Sequence, residues 1–120
     1  MVENLDGFPE GVVAVRATGK VTAGDYEGLI IPEVEAALAR QTKIRMLYQL
    51  GPGLENFTVQ AMLADAGLGM HHLAAFERIA IVTDDSQIAG AVQMFAFAIP
   101  CPVHVFPLAE FEDARGWIVQ

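Results

Sequence analysis

A handful of positions in this 120-residue chain carry residue types suited to chemistry. Asp84-Asp85-Ser86 sets two adjacent carboxylates where a strand gives way to a helix. Ligands collect at the carboxyl ends of strands in parallel α/β sheets, and a carboxylate pair there could hold Mg²⁺, an oxygen-seeking ion. The same residues are also ordinary helix caps, and no third carboxylate or basic phosphate clamp lies nearby in sequence. Thr58 opens a helix. Its hydroxyl suits the N-cap, and a phosphate placed on it would be held by the same free N–H groups and the helix dipole. His71 and His72 are adjacent, so on a helix they diverge by about 100° and cannot grip one metal from one face. His104 alternates with Val103 and Val105 and therefore faces the other side of its strand. No zinc-ligand spacing joins the three histidines. Cys101 sits between Pro100 and Pro102 and has no base or positive field beside it, so it reads as a structural thiol rather than a reactive one. Gly51-Pro52-Gly53 lacks the lysine and Ser/Thr of a phosphate loop and reads as a strand terminator. No acid and base are compelled to converge. The expectation is a protein that is not an enzyme, with no cofactor and no metal site.

The elements that must position these residues alternate along the chain. Val2 to Leu5 reads as a short edge strand. Turns at Asp6-Gly7 and Pro9-Glu10-Gly11 lead to a second strand, Val12 to Ala17, and a pair linked so tightly is most simply antiparallel. Tyr26, Leu29, Ile30, Val34, Ala37 and Leu38 share one helical face. Pro32 lies within that helix, where the missing donor and the ring's crowding of the Gly28 carbonyl predict a kink or two short helices in tandem. Ile44 to Leu50 is a strand, Val59 to Leu73 a second helix, and Phe76 to Val82 a strand. Ser86 to Ile99 is a third helix, Val103 to Phe106 a fifth strand and Leu108 to Ile118 a terminal helix. This β-α alternation predicts a mostly parallel sheet with right-handed crossovers.

The third helix is unusual. Ile88, Val92, Phe95 and Ile99 form one stripe, as core packing requires, but Met94 and Phe97 lie off it. A helix apolar all round is buried on every side or covered by something. Three coverings are open: a self-association surface, an apolar pocket, or the terminal helix through Phe111 and Trp117. Ile88, Val92, Met94, Phe95 and Phe97 are accordingly the candidate ligand or interface residues.

Composition narrows the partners. Apolar residues make up 53% and charged residues 18%, with a formal charge of −8. Such a surface repels nucleic-acid phosphates and anionic lipid headgroups. The longest nearly apolar run, Ile88 to Ile99, falls short of the roughly 20 residues a membrane span needs. The acidic start, Met1 to Asp6, has no basic-then-apolar pattern, so no signal peptide is expected. A single cysteine fits a reducing, cytoplasmic location. The length suits one domain spanning residues 1–120.

The segment Gly19-Lys20-Val21-Thr22-Ala23-Gly24-Asp25-Tyr26 followed by Pro32, together with Phe76-Glu77-Arg78-Ile79-Ala80-Ile81-Val82-Thr83-Asp84, resembles the bacterial SpoIIAA-like family. That group sits with the STAS domains and, more distantly, with the Sec14/CRAL-TRIO lipid binders. The resemblance implies an α/β fold: a mixed, largely parallel sheet with four helices mainly packed on one face. It implies an interaction or regulatory module, expected here to be a homo-oligomer, or to bind a protein partner or an apolar small molecule. Anti-sigma-factor antagonists are switched by phosphorylation of a serine in an Asp-x-Ser motif at the start of the second helix. Here Asn56 and Thr58 stand at those two positions, and the motif departs at both.

Overall fold

The computed structural model describes residues 2–19, 24, 26–51, 75–96 and 101–120. The β-branched and apolar runs become strands β1 (Val2–Asn4), β2 (Val12–Ala17), β3 (Ile44–Leu50), β4 (Phe76–Val82) and β5 (Val103–Phe106). They form one five-stranded sheet in the order β1-β2-β3-β4-β5. The first pair is antiparallel, as the short connection requires, with Glu3 opposite Arg16. Arg16 donates to Glu3 Oε1 from Nη2 at 2.9 Å and from Nε at 3.1 Å. The remaining pairs are parallel. At the β1–β2 turn, Gly11 has φ +86, a region costly for any residue with a Cβ; an added Cβ there would also meet Gln41 Oε1 at 2.6 Å.

Three α-helices stand among the described residues: α1 (Ile31–Arg40), α2 (Ser86–Phe95) and α3 (Phe111–Ile118). They are three of the four helices expected. The helix expected through Val59, Met62 and Leu63 lies outside the described residues. A wide π-type turn, Tyr26–Ile30, precedes α1, giving the tandem arrangement expected around Pro32. Pro32 falls in the first turn of α1, where its missing N–H breaks no helical bond. Glu33 in the first turn and Arg40 in the last complement the helix dipole.

Strands laid down in sequential order and joined by right-handed crossovers send every crossover helix to the same face. The packing follows that rule. Val34 of α1 and Val92 of α2 share a core with Val13, Val15, Met46, Tyr48, Ile79 and Ile81. The alternate strand residues Ala14, Leu47, Ala80 and Val82 point to the opposite face, where Ala114 and Ile118 of α3 cover them. The terminal helix therefore lies across the sheet from α2. It does not cover α2 through Phe111 and Trp117, because α3 is no crossover and is free to close the face the crossovers leave bare.

With eight residues, α3 is too short to be stable alone. Its last carbonyls are capped from the sheet. Arg45 Nη1 donates to the Ile118 carbonyl at 2.9 Å, and Arg78 Nη1 to that of Trp117 at 2.8 Å. Arg115 Nη2 ties the helix to the Gly7 carbonyl at 3.0 Å. Cations at a helix C-terminus also oppose its dipole favourably.

Candidate interaction surface

From Ser86 to Ala109 the sequence contains no Asp, Glu, Lys or Arg; all 7 basic and all 15 acidic side chains lie elsewhere. This stretch builds α2 and β5. β5 is the outer strand of the sheet, and α2 packs against it. This stretch of an otherwise strongly anionic molecule thus contributes no carboxylate, lysine or arginine to its flank.

The entry to α2 is set by capping. Asp85 Oδ1 accepts from the N–H groups of Gln87 at 2.9 Å and Ile88 at 3.2 Å. Asp84 Oδ1 accepts from Leu108 N–H at 2.9 Å, tying this loop to the turn after β5. The buried Thr83 hydroxyl accepts from Asp85 N–H at 3.0 Å. Asp85 thus acts as the cap, the ordinary use of such a residue before a helix, and Asp84 as a tie between two loops. Among the described residues no group of three His, Cys, Asp or Glu side chains could hold a metal ion, and no helix is long and apolar enough to cross a membrane.

Along α2, Val92 is buried while Ile88 and Ala91 pack half-buried beside it. Met94 follows Val92 by two positions, about 200° around the helix, and so turns off the core. It is 68% exposed. Gly90 and Gln93 are exposed as well. The side chain of Phe95 and all of Phe97 lie outside the described residues, as do Thr58, His71 and His72.

Among the described residues, β5 presents an open edge. Ile79 N–H donates to the Pro102 carbonyl at 3.0 Å and Thr83 N–H to that of Phe106 at 2.8 Å. Peptide groups alternate sides along a strand, so Val103 and Val105 turn their N–H and C=O groups away from β4. The side chains alternate too. Val103 and Val105 pack toward the α1–α2 core, whereas His104 lies on the α3 face, as its alternation with the valines predicts. The His104 ring stacks on Trp117 with centroids 4.3 Å apart and planes 8° from parallel. Phe106 tilts against the same indole at 6.1 Å, and the Arg78 guanidinium lies 5.2 Å from its centroid. Cys101, just before β5, is half-buried against the α1–α2 core, and burial pushes its thiol pKa up. That is the environment of a structural thiol.

Among the described residues, two cavities open elsewhere, near the N-terminal end of β2. One, of about 330 Å³, lies between β2 and α1 beneath Glu10, Glu33 and Arg40. The other, of about 180 Å³, is bordered by Gln41, Lys43 and Glu77. Neither touches α2.

The candidate residues on α2 thus divide: the structure packs Ile88 and Val92 inward and leaves Met94 outward. Asp84 and Asp85 sit together at the head of the same helix. The open backbone of β5 and the Trp117 stack were not among the candidates. The signal for the flank was nonetheless present in the unbroken absence of charge from Ser86 to Ala109.

The SpoIIAA-like family model matches residues 12–119. Among solved structures, the chain is similar to the crystal structure of an uncharacterized protein from the DUF3478 family with a SpoIIAA-like fold from Shewanella loihica PV-4. The two are 27% identical, with a TM-score of 0.68 over 98% of this chain and 92% of that one. No curated protein matches.

Proposed function

The chain belongs to the SpoIIAA-like family, and from that premise we propose that it is a non-enzymatic interaction module that associates with a second copy of itself through the charge-free flank of α2 and β5. The observation that carries this is Met94, 68% exposed within a stretch, Ser86 to Ala109, that holds no Asp, Glu, Lys or Arg. A lone exposed methionine on a charged surface means little. Here it stands where two copies, each with a formal charge of −8, can approach without setting carboxylate against carboxylate. Charge elsewhere opposes close contact; this flank does not. A reducing, cytoplasmic setting suits a module whose single cysteine is shielded.

Light scattering across a concentration series tests the proposal. A mass that rises toward twice 12.9 kDa with concentration is the expected result. A strict monomer at hundreds of micromolar overturns it.

A further inference from the structure

Given the self-association proposed above, we infer that β5 pairs antiparallel with β5 of the second copy about a twofold axis at His104, joining the two sheets into one. The outward-turned peptide groups are those of Val103 and Val105, placed symmetrically about His104, so the edge is its own hydrogen-bonding complement. Val103 meets the partner's Val105 and Val105 the partner's Val103, each pair exchanging both N–H···O=C bonds. His104 then faces the partner's His104 at a non-hydrogen-bonded position, with a Cα–Cα distance of about 4.5 Å.

Neighbouring residues fix this register. Centring the axis on Val105 would set Val103 against the partner's Pro107, which has no N–H to give. Centring it on Val103 would draw in Cys101, which lies outside the strand. Charge selects the occupant. Natural sheets guard their edges with lysine, inward charge, bulges or very short strands. The opposite edge, β1, is three residues long and carries Glu3, with Asp6 close behind. β5 is itself only four residues long and is bracketed by Pro102 and Pro107, but from Cys101 to Ala109 its edge carries no lysine, arginine or carboxylate, and a twofold there brings no such side chain of that stretch against its like. A pairing of four-residue strands is small, so the association is expected to be reversible and concentration-dependent.

The full chain carrying Cys101→Ser tests the register. His104→Cys in that background should form an intermolecular disulfide on mild oxidation, because facing residues at this spacing lie within the roughly 4.4–6.8 Å that a disulfide spans. Val103→Cys and Val105→Cys, each facing a different residue, should not. Independently of any variant, the amides of Val103 and Val105 in the wild-type protein should exchange about tenfold or more slowly at high than at low concentration. Crosslinking at position 104 with concentration-dependent amide protection supports the pairing. A dimer with neither, or one that crosslinks through position 105, overturns this geometry but leaves association through the flank standing. A protein that stays monomeric overturns both.

Discussion

Replacing Met94 by glutamate separates an interface from a merely exposed side chain. Full burial of a methionine is worth about 1.5–3 kcal/mol. At 68% exposure, roughly two thirds of that remains to be gained, or about 1–2 kcal/mol. A twofold contact uses the residue from each copy, so Met94→Glu should weaken association by about 2–4 kcal/mol, some thirty- to a thousandfold in Kd. The two carboxylates add repulsion to that figure. The monomer should hardly notice, since an exposed substitution away from the core changes stability by about 0.5 kcal/mol or less. Sedimentation over a dilution series, with a thermal melt of the same samples, measures both quantities. A dimer whose Kd moves less than threefold would place Met94 outside the contact. A large loss of thermal stability would mean that the side chain is packed rather than exposed, and the reasoning would fail at its first step.

Two further outcomes follow from the packing. Ile118 is fully buried against Ala14, Leu47, Ala80 and Val82, so Ile118→Ala should cost about 2–5 kcal/mol in urea denaturation followed by Trp117 fluorescence. A loss under about 1 kcal/mol would show that α3 does not close its face of the sheet. Burial raises the Cys101 thiol above its ordinary value of 9.0. Below that value both folded and unfolded chains keep the proton, and stability is unaffected. As pH rises through it the unfolded chain ionises first, so stability falls with increasing alkalinity. Cys101→Ser should remove that part of the fall; an identical alkaline profile in the variant would show that the thiol contributes nothing to it.

The strands were legible because runs such as Val12 to Ala17 and Phe76 to Val82 are β-branched and bounded by turn residues, which few other structures satisfy. Pro32 announced a break in its helix because a missing N–H is a local fact. The location of α3 was not legible. Periodicity shows that Ala114 and Ile118 share a buried face, but which side of the sheet receives them depends on the strand order, a property of the whole chain. The same holds for the site. Met94 betrayed itself by lying off the Ile88–Val92 stripe. The openness of β5 depends on its being the last strand of the sheet, and the Trp117–His104 stack joins residues that only the docked α3 brings together. Asp84 and Asp85 offered two uses, and hydrogen-bond geometry rather than residue type reveals the cap at Asp85 and the loop tie at Asp84.

Charge is distributed unevenly over this topology, and that has a consequence in solution. Helices α1 and α2 occupy one face, and the short α3 holds the other, with Arg45, Arg78 and Arg115 locking it there. Ionic contacts also secure β1 to β2 through Glu3 and Arg16. The stretch from Ser86 to Ala109 has no such role and no such residues. Association through it therefore gains nothing from ion pairs and is opposed only by the repulsion between two anionic bodies. Salt screens that repulsion over a Debye length of about 10 Å at 0.1 M, so the dimer should tighten as ionic strength rises. An interface built on arginine–carboxylate pairs would loosen under the same change. Titrating sodium chloride at fixed protein concentration, with mass as the readout, distinguishes the two: a dimer that dissociates in salt would move the contact away from β5 and onto the charged surfaces.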